Sequence, residues 1–384
     1  MARYSSRSAQ GETSRTSRGF KVLMAVLLAF VVVLVLNAVA LDNETEPASI
    51  PPEGMRLVDT TSGPLQVLDT GPAADPGATP IVLIHGTGGA INWWDEVVPL
   101  LEPGRRVIAI DMLGYGGSTK PESDYSVETQ AGLISQVLAR LGVSRAAVAG
   151  HSLGGSVATA LAVNSPDLVA AVILVDSAPD SSFGGLSGSA KAIKIPLFGQ
   201  ALWRIAPDGL IRQNLEQAFV PGFEVPDKFV DDVRAMTFPA YRKSLDSGED
   251  FTDGNPLTDQ LGRTGDPLLV IFGEDDQFYP ARETISAYAT VPGVKTLLIP
   301  GVGHSPQVEV PERTAAAMAA FVNGLPPQVE IKPPVTAPDN GKEKKGNGGG
   351  SKEEKAGKQS GSGKQQNSEG GSQKQSKDKS GSGK

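Results

Sequence analysis

The chain has no cysteine among its 384 residues. That excludes a disulfide framework, a thiol nucleophile and a cysteine-held metal centre together. Histidine is almost as scarce, with only His85, His151 and His304. Core-forming residues are missing from the C-terminal end: residues 341–384 contain one alanine and no larger apolar side chain, so they cannot fold alone. Acidic charge is scarce at both ends. Residues 1–21 carry +4 and residues 341–384 carry +6, so the stretch between them holds −18 against a whole-chain charge of −8. An acidic body of that size disfavours nucleic acid as a partner.

One long apolar run is present. Residues 22–36 are apolar without a break, Asn37 interrupts, and residues 38–41 continue. A helix over 22–41 would be about 30 Å long, enough to cross a bilayer core. Basic residues precede it, and Asp42, Glu44 and Glu46 come after it. The positive-inside rule then puts the N-terminus in the cytoplasm and the remainder outside. Ala38-Val39-Ala40 is also an A-x-A pattern, so the competing reading is a signal peptide cleaved after Ala40 and a secreted product. The length of the run favours the uncleaved anchor, and both readings export the rest of the chain.

The pattern divides the chain into a disordered basic N-terminus (1–21), a transmembrane helix (22–41), a linker (42–54), a globular domain (55–325) and a Gly/Ser/Lys-rich disordered tail (326–384). The tail reads as a solvated spacer whose positive charge suits anionic polymers or lipid head groups. Within the domain, residues 56–59 and 65–68 read as a hairpin around Ser62-Gly63-Pro64. Fully apolar runs at 81–84, 107–110, 146–149, 171–175 and 268–272 read as strands covered on both faces, and Thr296-Leu297-Leu298-Ile299 reads as a last strand. Helical patterns lie between them, at 127–141 behind the N-cap Ser126, after the glycines at 154–155, at 280–290 and at 309–322. Alternation of this kind predicts an α/β fold with a mostly parallel sheet flanked by helices. Residues 180–264 break the rhythm and hold scattered aromatics (Phe183, Phe198, Trp203, Phe219, Phe223, Phe229, Phe238, Tyr241), which reads as an inserted, mainly helical cap.

The chemistry-bearing residues fall at the ends of those strands. Gly150-His151-Ser152-Leu153-Gly154 is a G-x-S-x-G pattern between a strand and a helix, the context of a nucleophile elbow. A serine hydroxyl needs a base, normally histidine, and the base needs an acid to fix its tautomer. Ser152, Asp276 and His304 come after three predicted strands in that order. Asp275 neighbours Asp276 and is the rival acid; the spacing Gly273-x-x-Asp276-x-x-x-Pro280 favours Asp276.

Four motifs together resemble the α/β-hydrolase superfamily, in its serine esterase and lipase-like branch with a cap, over residues 55–325. They are His85-Gly86-Thr87-Gly88-Gly89, Asp111-x-x-Gly114-x-Gly116-x-Ser118, the 150–155 elbow, and Gly273-x-x-Asp276-x-x-x-Pro280 with Gly303-His304 beyond it. The resemblance implies Ser152 as nucleophile, Asp276 as acid and His304 as base. It implies an oxyanion hole from the backbone N–H groups of Thr87 and Leu153. It implies no cofactor and no metal, and a small-molecule ester substrate with an apolar acyl or alcohol group. Serine at 152 disfavours the haloalkane-dehalogenase and epoxide-hydrolase branches, which place aspartate there. Carbon–carbon bond hydrolases, cofactor-free haloperoxidases and acyltransferases share the same three residues and stay open, as does a ligand-binding module with a vestigial site. His151 is expected to pack against the turn, His85 to bond the loop after its strand, and Asp111 to tie a loop. Trp93 and Trp94 are candidates for either the site mouth or the core.

Overall fold

The computed structural model describes residues 18–122, 124–185 and 192–325. The expected disordered N-terminus falls outside these residues except for its last four, and the whole C-terminal tail lies outside them.

Helix α1 (Arg18–Asp42) opens the described chain and starts four residues before the apolar run. An eight-stranded sheet comes next: β1 (Met55–Val58), β2 (Leu65–Asp69), β3 (Ile81–Ile84), β4 (Val107–Ile110), β5 (Ala146–His151), β6 (Val169–Val175), β7 (Leu268–Gly273) and β8 (Lys295–Ile299). Their spatial order is β1-β2-β4-β3-β5-β6-β7-β8. β1 and β2 form the antiparallel hairpin, β2 is antiparallel to β4, and every later pairing is parallel.

The apolar strand runs reflect two-sided burial. Successive residues of β3 face opposite ways: Val82 and Ile84 join one core, Ile81 and Leu83 the other. A strand with a helix layer on each face has no solvent side, so the alternation of an exposed strand disappears. α3 (Val127–Arg140), α4 (Leu153–Asn164) and α10 (Ala281–Tyr288) contribute to the first core. α2 (Val98–Leu101) and α12 (Pro311–Asn323) contribute to the second. Between β6 and β7 lie α5 (Phe198–Ile205), α6 (Asp208–Leu215), α7 (Asp227–Arg234), α8 (Phe238–Thr252) and α9 (Leu257–Thr264).

The C-terminal helix differs from the expected 309–322. A one-turn helix, α11 (Pro306–Glu309), comes first, Val310 breaks the geometry at φ −142°, and α12 restarts at Pro311. Proline lacks the N–H that a continuous helix would bond, but its fixed φ suits a first helical position. Residues 42–54 are tied down at several points: Glu44 accepts the Phe238 N–H at 3.2 Å, Glu46 pairs with Lys120 in an isolated bridge, and the Ser49 N–H donates to the Gly117 carbonyl.

The topology selects one place for a site. The chain leaves β3 for β4 on one side, then returns to place β5 on the other side of β3. In open α/β sheets the crevice for ligands forms outside the strand ends at such a reversal. The loop beginning at His85 leaves β3 there, and Ser152 leaves β5 beside it. Ser152 has φ +51° and ψ −120°, a conformation that costs on the order of 1–3 kcal/mol for a residue with a side chain.

That turn is held by close backbone approach. A Cβ on Gly150 would lie 2.1 Å from the Gly154 carbonyl oxygen and 2.5 Å from the Gly155 nitrogen. Both obstacles are main chain, so no rotamer change relieves the clash. Gly150→Ala should therefore lower stability by about 3 kcal/mol or more. Gly132→Ala, at an open position in α3 with nothing within 4 Å, should be neutral or stabilising by about 0.5–1 kcal/mol. Thermal melts followed by circular dichroism check the pair; equal melting temperatures would contradict the account of the turn.

Candidate active site

Ser152, at the tip of the β5–α4 turn, and His304, in the loop after β8, line one cavity of about 300 Å³. Asp276 stands behind His304 in the loop after β7. His304 Nδ1 donates to Asp276 Oδ2 at 2.8 Å, and the Asp276 side chain is fully buried. Its other oxygen accepts the N–H of Phe278 at 2.7 Å and of Tyr279 at 3.2 Å. These bonds fix the carboxylate and commit the imidazole proton to Nδ1, which leaves Nε2 with a lone pair. Asp275, the rival by sequence, is exposed.

Thr87 and Leu153 sit on the cavity wall beside Ser152. Their backbone N–H groups donate to no protein acceptor among the described residues. Leu153 is the first residue of α4, where orphan N–H groups and the helix dipole favour an anion. The loop of Thr87 is held close to the turn: a Cβ on Gly86 would meet His151 Nδ1 at 2.8 Å and the Ser152 Cβ at 3.0 Å.

The other two histidines have structural partners. His85 donates from Nδ1 to the Gly86 carbonyl at 2.8 Å and accepts the Met112 N–H on Nε2 at 3.0 Å. His151 donates from Nε2 to the His304 carbonyl at 2.8 Å. Burial drives both imidazoles toward the neutral form, His151 well below its ordinary value, with the neighbouring His304 adding to that push. Asp111 accepts from the Ile91 N–H at 2.7 Å, the Gly117 N–H at 2.9 Å and Gln66 Nε2 at 2.7 Å, tying three segments together. Trp93 and Trp94 part company. Trp93 lines the cavity and stacks on His151, with ring centroids 5.6 Å apart; Trp94 is fully buried in the core on the far face of the sheet.

Three further residues belong to the arrangement and were not singled out by sequence. Asp176 comes directly after β6 at φ +45°, is fully buried, and accepts the Gly273 N–H at 3.0 Å. Its other oxygen has no hydrogen-bond partner within ordinary distance. Carboxylate oxygens of Asp176 and Asp276 and a ring nitrogen of His304 lie within 4.8 Å of one another. Burial, and then the nearby Asp276 carboxyl, raise the Asp176 carboxyl well above the usual carboxylate range, which favours its protonated form. Tyr279 lines the cavity; burial raises its hydroxyl, and its hydrogen bond with Ser152 pulls the other way. Glu309 accepts the N–H groups of Gly303, Ser305 and Val220, which pins the His304 loop to the segment after α6. The one available signal was position: Asp176 ends an apolar strand on the same sheet edge as the motif residues.

The cavity walls are mixed. Leu202 and Trp203 of α5, Leu210 and Ile211 of α6, and Tyr241 and Leu245 of α8 cover the apolar side. The arrangement offers a hydroxyl, an oriented imidazole and two free N–H donors around one cavity with an apolar side.

Comparison with known proteins agrees with this fold. The model of the alpha/beta hydrolase family matches residues 81–317, more than half of the chain, and the chain belongs to that family. A Mycobacterium tuberculosis protein of uncharacterised function is 29% identical over 270 residues, covering 64% of this chain and 76% of that one. The 2-hydroxymuconate semialdehyde hydrolase of a Pseudomonas species is 29% identical over 266 residues, covering 65% and 88%. Among solved structures, a bacterial membrane phospholipase A superposes with a TM-score of 0.59 at 22% identity, covering 80% of this chain and 99% of that one. That likeness is one of fold.

The raised Asp176 carboxyl has a consequence for stability. An acid whose folded pKa lies above its unfolded value binds more protons in the native state, so stability falls as pH rises above about 4. Asp176→Asn removes that proton and keeps a neutral donor beside Asp276. Its melting temperature relative to the parent should therefore climb between pH 5 and pH 8. Parallel pH profiles in calorimetry would contradict a raised Asp176 carboxyl.

Proposed function

We propose that the chain is a membrane-tethered, exported serine hydrolase that cleaves carboxylic esters through an acyl-enzyme. The observation that carries this reading is the 2.8 Å bond from His304 to a buried Asp276, with His304 and Ser152 facing one apolar cavity. In the proposed cycle Ser152 Oγ attacks the ester carbonyl carbon while His304 Nε2 takes its proton. Negative charge on the carbonyl oxygen is met by the N–H groups of Thr87 and Leu153. The intermediate collapses, the C–O bond to the alcohol breaks, and His304 returns its proton to the departing oxygen. Water then attacks the acyl-serine with His304 again as base, releasing the acid and restoring Ser152.

The domain division that goes with this reading is an anchor over 22–41, a linker over 42–54, a catalytic domain over 55–325 and a cap over 180–264. Residues 18–42 form the one helix among the described residues that is long and apolar enough to cross a bilayer. The basic residues ahead of it, under the positive-inside rule, support an extracytoplasmic catalytic domain. The apolar cavity under the cap suits an ester with an apolar acyl or alcohol part.

A second reading has a specific support. The Pseudomonas relative is named as a hydrolase of 2-hydroxymuconate semialdehyde, so carbon–carbon bond hydrolysis on the same three residues is the competing activity.

A panel of p-nitrophenyl esters of graded acyl length tests the proposal. Ser152→Ala should lower kcat by about 10⁴–10⁶-fold on every ester that the parent cleaves. Thr87→Pro, which deletes one N–H donor, should cost about 10²–10³-fold in kcat. A parent that cleaves none of the panel would turn the reading toward carbon–carbon hydrolysis or acyl transfer.

A further inference from the structure

The cap and the apolar helix are in contact, and the contact has a depth. α1 packs against α5 and α8. Ala38 and Leu41 of α1 are buried, and Leu41 clusters with Ile193 and Phe238, with Trp203 and Tyr241 packed against them. Arg204 of α5 donates to Asn37 Oδ1 at 3.2 Å. Asn37 lies five residues inside the outer end of α1 at Asp42, which is about 7 Å along the helix axis. The C-terminal end of α5 therefore reaches below the top of α1. Amphipathic helices that lie in a membrane surface sit about 5–10 Å into the boundary between head groups and acyl chains.

The cap surface at that depth is apolar. Ile195, Phe198 and Ile205 are 52%, 54% and 75% exposed. Phe198 and Ile205 are seven residues apart and share a face of α5, and Ile195 lies in the segment just before that helix. α1, which packs against α5, is itself apolar and exposed toward its N-terminus, with Val39 at 55% and Leu36 at 64%. A run of large apolar side chains continuous with a spanning helix has a bilayer as its natural cover. The exposed guanidinium end of Arg204 suits the same boundary, since a long cationic side chain keeps its head among polar groups there.

This face also opens toward the cavity. Leu202 lies between Phe198 and Ile205 at helical spacing, and Ala206 lies four residues beyond Leu202. Both are half-buried and both line the cavity that holds Ser152 and His304. Apolar residues thus run along α5 from the exposed Phe198 and Ile205 to Leu202 on the cavity wall, while the charged Arg204 of the same helix turns to Asn37 of α1. A substrate dissolved in the bilayer would meet this route before it met water.

We propose that the face of the cap carrying Ile195, Phe198 and Ile205 lies in the surface of the bilayer that α1 enters, and that the cavity takes its substrates from that bilayer, which makes long-chain acyl-ester lipids its substrate class. The substrate class rests on the ester-hydrolase reading, and the contact with the bilayer rests on the reading of α1 as a membrane anchor.

Two measurements on the full chain in phosphatidylcholine/phosphatidylglycerol vesicles test it. The chain has no cysteine, so Ile205→Cys and Glu312→Cys each accept a single environment-sensitive fluorophore. Nitroxide-labelled lipids should quench the label at 205 at least threefold more than the label at the exposed position 312 of α12. Equal quenching overturns the bilayer contact. A label at 205 that is shielded from water but not quenched by lipid marks contact with a second copy of the chain, and also overturns it. In the second measurement, Phe198→Ser with Ile205→Ser should lower hydrolysis of a long-chain diacyl phospholipid carried in the vesicles about tenfold. Hydrolysis of water-soluble p-nitrophenyl butyrate should stay within twofold. Equal effects on both substrates, or none on either, contradict loading from the bilayer. A parent that cleaves neither ester fails the ester reading and with it the substrate class, while the quenching result still decides the bilayer contact.

Discussion

The structure depends on one residue held where a side chain rarely sits. Ser152 adopts φ +51° between a strand and a helix, and the turn closes because Gly150 and Gly154 let main chain touch main chain while Gly155 leaves room for the Ser177 side chain. A Cβ on Gly154 would lie 2.5 Å from the carbonyl oxygens of Ile84 and His85, so the same closeness draws the end of β3 onto the turn. The Ser177 hydroxyl bonds the Ser152 carbonyl from the other side, at 2.8 Å. His151, the residue before the turn, reaches the His304 carbonyl. A strained backbone persists only where its surroundings over-determine it. Here the surroundings are the ends of β3, β5 and β6 together with the loop of His304.

The electrostatics around that turn obey one rule. Burial would make several charges costly, so most of the ionisable groups there are kept neutral. His85 and His151 are driven toward neutral imidazole and Asp176 toward the protonated acid. Asp276 is fixed differently, by hydrogen bonds: two backbone N–H groups reach one of its oxygens and the His304 imidazole reaches the other. Glu309 does a comparable job with backbone donors alone, fixing the loop from which His304 projects.

Much of this was legible in the sequence, for physical reasons. Strands buried on both faces show as unbroken apolar runs, so the core of the sheet was readable. Ser126 as a cap also read correctly: its hydroxyl accepts the Thr129 N–H at 3.1 Å. The roles proposed for Ser152, Asp276 and His304 came from motifs whose spacing reflects strand ends meeting at one sheet edge. Asp176 was not legible, because one aspartate after an apolar strand carries no spacing signal and its importance lies in a neighbour 100 residues away. The two tryptophans could not be separated in sequence either. Adjacent residues in a tight helical turn point in different directions, and only the packing sends Trp93 to the cavity and Trp94 to the core. The helix break at Val310 escaped because Pro311 reads equally as an early residue of a longer helix. The two-sided character of α5, with Trp203 facing inward and Ile205 outward, emerges only when α1 is placed beside it.

The central claim is that this fold makes the Ser152 hydroxyl reactive by placing it with His304 and Asp276. Labelling with a fluorophosphonate, then mass spectrometry of the digested protein, tests it most directly. The account predicts one adduct per chain, on the peptide containing Ser152, and a loss of at least a hundredfold in labelling rate in His304→Ala. An unlabelled Ser152, or labelling that proceeds undiminished without His304, would contradict it.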